Sequence, residues 1–446
     1  MPSPDCATGR CIALPSPDDD PSCANRRCLT HSSGARRGPD RVALLSLHSS
    51  PLARAGSAGA GGMNIYVRRL ASQLSDRGIQ VDVFTRRSDS RSPEIDCRGS
   101  VRFIHLSAGP ARAVPKSSLS LYTSELVDAF VNHVDRYRRS YDLLHSHYWL
   151  SGVVGLRLKQ RYDLPLAHMF HTLSKVKEMY AGRPDPSDTL LRVEGERAVL
   201  AGADIVVGAT EAEQELIRRC YGSPSGLFRA IPPGVDLHRF RRYDQLASRR
   251  QLGIEGDPVI LFVGRMDGIK GLDLLVEAMP RLRAMYPLLR LVVVGGENRL
   301  PVNEYRQRID ELGLTNAVEL RGAVPQSKLP LYYSSATVFG APSAYESFGM
   351  AAVESMACQT PVVAFGVAGL AVTIRDNQTG FLVEPGDTDG YIQRLVEALG
   401  SPNLVEMGRR ARLSVQRYAW ETVGRRTVDL YEELLAASAV RERISG

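Results

Sequence analysis

Apolar residues occur in short runs bounded by polar ones, and the first of these runs predict strands. Val42–Leu47 is such a run, typical of a strand buried on both faces. A loop rich in small residues follows at 49–62, and helical periodicity covers Met63–Arg77 before Gly78 ends it. Val81–Phe84 has the pattern of the next strand. The segment therefore predicts a strand–helix–strand crossover.

The alternation of strand and helix continues in two rounds, separated by two prolines and a glycine at 232–234. The first round adds predicted strands at Asp142–His145, Leu166–Phe170 and Asp204–Val207, with helices near Gly152–Arg161 and Glu211–Arg219. The second round has predicted strands at Val259–Val263, Arg290–Val294, Val318–Leu320, Thr337–Gly340 and Pro361–Ala364. We predict an α/β protein with two doubly wound, Rossmann-like domains and a ligand site in the cleft between them.

The predicted domain limits follow from the same pattern. Residues 1–40, where Pro, Ser and Asp interrupt every apolar stretch, are expected to be a disordered tail. The first domain covers 41–232 and the second 233–424. A final helix at about 425–446 is a candidate to pack back on the first domain.

Composition narrows the classes of function. The chain of 446 residues is 43% hydrophobic and 24% charged, which is ordinary globular composition. Its longest apolar runs fall far short of the ~20 residues of a transmembrane helix, and it has no secretory pattern. The net charge of +7 is spread along the chain without a dense basic block. We therefore expect an anionic small-molecule ligand and no nucleic-acid partner.

The seven cysteines match no short-knuckle zinc pattern. We interpret them as reduced thiols of a cytoplasmic protein.

Two segments of the first half have candidate chemistry. The glycines at 59–62 lie between a predicted strand and helix, where backbone amides can approach a phosphate; the alternative is a flexible connection. His145 and His147 end a predicted strand beside Tyr148 and Trp149. They can line a polar pocket or be structural, and no third ligand at a suitable spacing supports a metal pair.

Two further segments lie in the second half. Arg265 and Lys270 follow a buried strand, where two cations can hold a diphosphate and stabilise it as it leaves; the alternative is a solvated pair on a loop. Glu346 precedes a predicted helix and Glu354 lies eight residues further on, about two turns along it. The two carboxylates therefore address different parts of one ligand.

Taken together, these segments over residues 41–436 resemble the family 4 retaining glycosyltransferases with the GT-B fold. The most specific pieces are Gly61–Gly62, Gly264–Arg265 with Lys270, and the spacing of the two glutamates. The N-terminal half is closer to the branch that glycosylates D-inositol 3-phosphate in mycothiol synthesis. That likeness rests on 41–52, 60–64, 145–152 and 171–177.

The resemblance implies a role for each donor-side position. Arg265 and Lys270 contact the diphosphate of a nucleotide sugar, Glu346 the transferred sugar, and Glu354 the ribose. The amides of Gly61–Gly62 close over the donor phosphate. The backbone of Val324 contacts the nucleobase. The branch implies UDP-N-acetylglucosamine as donor.

The acceptor side follows the same resemblance. A phosphate cradle falls on Lys116, Tyr148, Thr172 and Arg192, two cations and two hydroxyls. His48 faces the acceptor and the reaction centre, with Asn64 in the same region. The implied acceptor is 1D-myo-inositol 3-phosphate. Arg54–Ala55 and Gly59 depart from the branch pattern, which bears on which cyclitol or sugar phosphate is accepted.

Several alternatives stay open. Sucrose-phosphate-type synthases share the framework and also use a phosphorylated acceptor, and a non-catalytic sugar-nucleotide-binding protein could keep the fold. No cofactor is implied for catalysis. Some relatives show a magnesium ion held mainly by backbone oxygens, although dedicated sites favour carboxylates. Those positions are Tyr333, Ser334, Ala336 and Thr360. The sequence leaves open whether the protein is a monomer or a homodimer.

Overall fold

A computed structural model describes residues 38–53, 61–181, 190–296 and 299–445. Its first sheet has the strand order β3-β4-β2-β1-β5-β6-β7-β8. These strands are β1 (Arg41–Leu45), β2 (Gln80–Arg86), β3 (Ile95–Arg98), β4 (Val101–Leu106), β5 (Leu143–His147), β6 (Leu166–Met169), β7 (Ile205–Gly208) and β8 (Leu227–Ala230). All pair in parallel except β3, which runs antiparallel to β4 at the edge.

Helices cover both faces of this sheet. They are α1 (Gly62–Ser75), α2 (Thr123–Tyr137), α3 (Trp149–Tyr162), α4 (Ser174–Ala181), α5 (Leu190–Gly202) and α6 (Glu211–Tyr221). The central strand β1 is apolar and fully buried over Val42–Leu45, because helices exclude water from each face of the sheet.

The second sheet is parallel throughout, in the order β11-β10-β9-β12-β13-β14. Its strands are β9 (Val259–Val263), β10 (Arg290–Val294), β11 (Val318–Leu320), β12 (Val338–Ala341), β13 (Val362–Phe365) and β14 (Gly380–Val383). Its helices are α7 (Gln245–Leu252), α8 (Leu272–Met285), α9 (Arg299–Glu311), α10 (Leu329–Ser335), α11 (Met350–Ala357), α12 (Ala368–Thr373), α13 (Thr388–Gly400) and α14 (Leu404–Ser414). The two doubly wound sheets agree with the predicted fold class.

The last helix, α15 (Trp420–Ser445), begins earlier than the predicted residue 425 and contacts α1. Its buried residues Trp420 and Tyr431 belong to the same hydrophobic cluster as β1. Gly234 is required at the junction between the two sheets, because a Cβ there would lie 2.4 Å from the Trp420 ring. The domain limits at 232 and 424 stay predictions.

Some bounds differ from those predicted. The helix predicted near Gly152–Arg161 is α3, which begins at Trp149, directly after Tyr148 with φ 73° turns the chain out of β5. That strand extends two residues beyond the predicted end at His145, since His147 still pairs with Met169 of β6. The interpretation of all cysteines as reduced thiols fails at Cys97, which is disulfide-bonded on the edge strand β3. In the part of the chain described, no helix has the length and apolarity to cross a membrane.

Candidate active site

The candidate site residues lie where the two sheets change strand order. In the first sheet β1 lies between β2 and β5, and in the second β9 lies between β10 and β12. Ligands of doubly wound sheets bind at the carboxyl ends of strands at such switch points. The carboxyl ends of the two sheets are joined by a contact between Tyr180 of α4 and Tyr345, which follows β12. The two rings stack with centroids 4.8 Å apart. The site is therefore built from both halves.

On the donor side, Lys270 and Glu346 form a direct ion pair. The Lys270 ammonium donates to the Glu346 carboxylate, and both side chains are about one-fifth exposed, at 22% and 20%. Arg265 is 75% exposed and pairs with Asp267 at 2.9 Å. The sequence had assigned Lys270 and Glu346 to separate parts of a donor, and the structure places them in contact. Two cations and a carboxylate at the carboxyl end of β9 can bind a diphosphate and an attached polyol.

Glu354 lies inside α11 and is only 7% exposed. Its carboxylate accepts a hydrogen bond of 3.0 Å from the Tyr333 hydroxyl. Burial raises the pKa of Glu354 to about 7, although hydrogen bonds from Tyr333 and Gln326 act in the opposite direction. A buried carboxyl with hydroxyl partners suits the recognition of a vicinal diol.

Val324 follows β11 and is half-buried. A nearby cavity of about 480 Å³ opens beside the end of β11 and reaches Met266, which follows Arg265. Its lining residues are Met266, Gly296, Val302, Asn303, Arg306, Leu320 and Gly322. The cavity has room for a planar base next to the cations that follow β9.

On the acceptor side, the buried Arg192 organises the cluster. Its Nη2 donates to the Thr172 carbonyl at 3.1 Å and to the Thr172 hydroxyl at 3.2 Å. Its guanidinium lies 5.1 Å from the centre of the Tyr148 ring. The His48 ring packs against Tyr148 at a centroid distance of 4.0 Å. The structure thus brings together four residues that come from separated segments of the sequence.

Lys116 adds a second cation to this cluster. It begins a 3₁₀ turn at 116–122 and acts electrostatically on His48. Burial, together with the charges of Lys116, His171 and Arg192, lowers the pKa of His48 to about 3. His48 is therefore a neutral imidazole near pH 7, beside two permanent cations. Such a cluster favours an anionic group.

Glu196 is a site residue that the sequence analysis missed. It is fully buried and accepts a hydrogen bond of 2.8 Å from Arg192 Nε, four residues earlier on α5. It also accepts from the Ser174 amide and the Tyr221 hydroxyl. Glu196 therefore holds the Arg192 guanidinium through Nε, which leaves Nη2 of Arg192 directed at Thr172. The arginine–glutamate spacing on one helix was the signal available in the sequence.

The glycine loop and Asn64 differ in role. The Asn64 amide is buried and donates to the Ser49 hydroxyl and the Ser50 carbonyl, both at 2.7 Å, while its oxygen accepts from the Gly61 amide. Asn64 therefore ties the loop after β1 to the start of α1. Gly61 and Gly62 are exposed, and a Cβ on either would meet nothing within 4 Å. Arg54, Ala55 and Gly59 lie outside the described residues.

The histidines of β5 are structural partners rather than metal ligands. His145 Nδ1 lies 2.7 Å from the Tyr431 hydroxyl, and His147 Nδ1 lies 3.1 Å from His171 Nε2. Burial lowers the pKa of each of these three histidines, so the rings are neutral. Among the residues described, no group of three or more His, Cys, Asp or Glu side chains is arranged to hold a metal ion.

The four positions of the magnesium prediction lie at the end of α10 and just after α11, and all are buried. The Tyr333 carbonyl accepts from the Thr360 hydroxyl at 2.7 Å, and the Ala336 carbonyl accepts from Gln245 at 2.7 Å. The Ser334 hydroxyl accepts from the Tyr243 amide at 3.0 Å. Each of these oxygens already accepts a hydrogen bond, and none of the four positions carries the carboxylate that dedicated magnesium sites favour. Magnesium binding here stays a prediction.

Comparison with known proteins agrees with this architecture. Residues 61–234 match the Glycosyl transferase 4-like domain, and residues 244–414 match the Glycosyl transferases group 1 family. The D-inositol 3-phosphate glycosyltransferase 2 of Catenulispora acidiphila is 37% identical over 92% of this chain and 99% of its own length. The fold and site thus define a GT-B glycosyltransferase. The chain belongs to the group 1 glycosyltransferases with a family 4-like N-terminal domain.

Two solved structures are similar over most of the chain. Sucrose-phosphate synthase from Thermosynechococcus elongatus has a TM-score of 0.81 and 35% identity, covering 89% of this chain and 100% of that one. Anabaena HepE in complex with UDP and glucose has a TM-score of 0.68 and 20% identity, covering 88% and 99%, and shows the fold alone. The predicted family, fold and enzyme class are confirmed.

Proposed function

We propose that this glycosyltransferase transfers N-acetylglucosamine from UDP-N-acetylglucosamine to 1D-myo-inositol 3-phosphate with retention of the anomeric configuration. The observation that carries the acceptor proposal is the contact of Arg192 with Thr172 and Tyr148, next to His48 and Lys116. The name of the Catenulispora relative supports this acceptor. The uridine nucleotide in the Anabaena structure supports a UDP-linked donor.

Each side of the site has its own task in the reaction. Arg265 and Lys270 bind the diphosphate and stabilise the negative charge that develops as the bond from the anomeric carbon to the phosphate oxygen breaks. Glu346, held by Lys270, orients the sugar. Glu354 accepts hydrogen bonds from the ribose, and the amides at Gly61–Gly62 bind the donor phosphate from the other half.

The acceptor hydroxyl then attacks the anomeric carbon on the face from which the diphosphate leaves. Its proton passes to the leaving phosphate oxygen, and UDP is released. Neutral His48 can accept a hydrogen bond from the acceptor and orient it, because its lowered pKa keeps the imidazole unprotonated. Glu346 and Glu354 both bind the donor in this proposal. Neither is therefore available as a base that activates the acceptor on the face opposite the leaving diphosphate. Retention follows from this arrangement.

Sucrose-phosphate synthase is the second candidate, favoured by the 35% identity and the TM-score of 0.81. The two candidates differ in the acceptor, a cyclitol phosphate or a sugar phosphate. Both place a phosphate in the cradle of Arg192 and Lys116. The presence of the cradle therefore does not distinguish the two candidate functions, and only an assay of which acceptor the enzyme uses can do so.

A transfer assay tests the proposal. UDP release is measured with UDP-N-acetylglucosamine and inositol 3-phosphate, free inositol or fructose 6-phosphate, and the anomeric configuration of the product is read by NMR. We expect inositol 3-phosphate to exceed free inositol well over tenfold in kcat/KM, because charge-assisted hydrogen bonds contribute about 1.5–3 kcal/mol each. Arg192→Ala should remove most of that preference. Equal use of free inositol, or an inverted product, would contradict the proposal.

A further inference from the structure

Helix α4 begins beside the phosphate cradle of the acceptor side. Its first amide, that of Ser174, donates to the two oxygens of the Glu196 carboxylate at 3.1 and 3.2 Å. The Lys175 amide donates to the Tyr221 hydroxyl at 2.9 Å. Glu196 is the fully buried carboxylate that also accepts from Arg192 Nε. One side chain therefore holds both the start of α4 and a cation of the cradle.

The other end of α4 reaches the second half of the chain. Tyr180 lies about 9 Å along the helix axis from Ser174. Its ring stacks on the Tyr345 ring, with centroids 4.8 Å apart and planes inclined by 23°. Tyr345 follows β12 of the second sheet, yet it packs against the hydrophobic cluster of the first. α4 also contacts the 3₁₀ turn that ends at Lys270. The helix therefore bridges the cradle and the donor side.

The loop between β12 and α11 carries Glu346 and has no regular secondary structure. Backbone hydrogen bonds hold it on either side of Tyr345. The Ala344 amide donates to the Ile269 carbonyl at 2.8 Å, and the Gly369 amide donates to the Glu346 carbonyl at 2.8 Å. Tyr345 stands between these two attachments, with its ring against α4. A shift of that ring therefore also moves the next residue, Glu346.

We propose that Tyr180 is a positioning residue for Glu346 and acts through its stacking on Tyr345. This rests on the proposed function in one respect, the contact of Glu346 with the transferred sugar. Because Glu196 fixes α4 and Arg192 together, the stack aligns the sugar with an acceptor whose phosphate lies in the cradle. Such alignment of two substrates acts on the rate of transfer and not on the binding of either one.

Steady-state kinetics of the full-length protein test this inference. The donors are UDP-N-acetylglucosamine and UDP-glucose, the acceptors are inositol 3-phosphate and fructose 6-phosphate, and the pair that the wild-type protein turns over fastest is used throughout. We expect Tyr180→Ala to lower kcat about tenfold and to leave the KM of the acceptor within about twofold. The KM is kept because Glu196 and Tyr221 still hold the start of α4. Tyr180→Phe should restore kcat, since the ring is the part that stacks.

Double variants show whether the effect passes through Tyr345 and Glu346. Tyr345→Ala removes the other ring and should lower kcat to the same extent, with no further loss when it is combined with Tyr180→Ala. In a Glu346→Asp background, where the carboxylate is already displaced, Tyr180→Ala should lower kcat by no more than about twofold. Met179→Ala is the matched control, because Met179 is the neighbouring large side chain on α4 and is 41% exposed. We expect its kcat to equal that of the wild-type protein.

The outcomes separate this inference from the proposed function. A Tyr180→Ala protein with the kcat of Met179→Ala would overturn the inference, and so would a loss that Tyr180→Phe shares or one that raises the KM of the acceptor in proportion. If Tyr180→Ala does not fold, Tyr180→Leu keeps α4 covered and should show the same split between kcat and KM. If fructose 6-phosphate is the faster acceptor, the proposed acceptor is wrong and the inference stands on that pair. If the wild-type protein turns over none of the pairs, the donor role of Glu346 falls and the inference falls with it.

Discussion

Single residues on the donor side differ in how firmly they are held. Lys270 lies against Glu346 with little exposure, whereas the pair of Arg265 with Asp267 is open to water. Exposed ion pairs contribute only ~0–1 kcal/mol. Arg265 can therefore exchange Asp267 for a diphosphate at small cost, while Lys270 keeps its position beside the sugar-facing carboxylate.

This difference gives a prediction for Arg265→Ala. We expect kcat at saturating donor to fall about 100- to 1,000-fold, as for other contacts that stabilise charge in a transition state. The melting temperature should be unchanged, because the side chain is 75% exposed. Arg281→Ala is the matched control, since Arg281 is 63% exposed and pairs with Asp389 in the same half of the chain. An Arg265→Ala protein as active as this control would contradict the assignment.

At the scale of elements, the start of α1 combines a hydrogen-bonded residue, Asn64, with a solvent-exposed one, Gly61. Asn64 fixes the loop by three hydrogen bonds. Gly61 itself has φ −140°, an extended conformation that any residue adopts. Neither space nor backbone conformation in the protein requires glycine there. The absence of a side chain leaves the Gly61 backbone open to a ligand, and this is the role that we expect for the glycine.

Gly61→Val tests that conclusion. We expect an unchanged melting temperature, because the new Cβ meets nothing within 4 Å, and a loss of at least tenfold in kcat/KM for the donor. Gly195→Ala is the contrasting control on α5. Its Cβ would lie 2.7 Å from the Trp149 ring, so it should lower the melting temperature. Full donor activity in Gly61→Val would show that the glycine loop does not touch the donor.

Elements also show which patterns the sequence can predict. Val259–Val263 and Arg290–Val294 have the predicted bounds because parallel strands covered on both faces need continuous apolar runs. Ile95–Arg98 and Val101–Leu106 had no predicted counterpart. The first is a half-exposed edge strand, and Arg102 and His105 interrupt the second. The turn at Tyr148 was missed because its positive φ follows from contacts far apart in the sequence.

The candidate site also has features that the sequence predicts and features that it does not. Tyr148 and Arg265 stand just after strands, where the sequence places them, whereas Arg192 and Glu354 lie inside helices. Their contacts depend on three-dimensional packing: Lys270 meets Glu346 across 76 positions, and Gln326 meets Arg239 across 87. Glu196 was missed because an arginine–glutamate pair on a helix usually lies on the surface, whereas here it is buried beneath the cradle.

At the scale of the whole molecule, buried histidines make the fold sensitive to acid. Among the described residues, burial lowers the pKa of seven of them below the ordinary value of 6.5. They are His48, His105, His133, His145, His147, His168 and His171. Below pH 6.5 the unfolded chain binds protons that the folded protein does not, so stability falls as the pH falls. Three buried glutamates, Glu196, Glu213 and Glu354, have raised pKa values that act in the opposite direction, and they are fewer than the histidines.

We therefore expect the free energy of unfolding to drop steeply between pH 7.5 and pH 5.5. Each histidine contributes on the order of 1 kcal/mol over this interval. Denaturant titrations at the two pH values measure the drop. His133→Gln, far from the acceptor cluster on α2, should make it smaller, because burial holds the pKa of His133 at about 4. Equal stability at both pH values would contradict the prediction.

The return of α15 to the first sheet also has a consequence for synthesis. Chains emerge from the ribosome from the N-terminus, and early domains usually fold before later ones appear. Here Trp420 packs on Tyr66 with ring centroids 5.6 Å apart, and the Tyr431 hydroxyl lies 2.7 Å from His145. The first sheet therefore waits for a helix that is synthesised after all strands of the second sheet. Until α15 has emerged, the apolar surface that it covers stays open to chaperones.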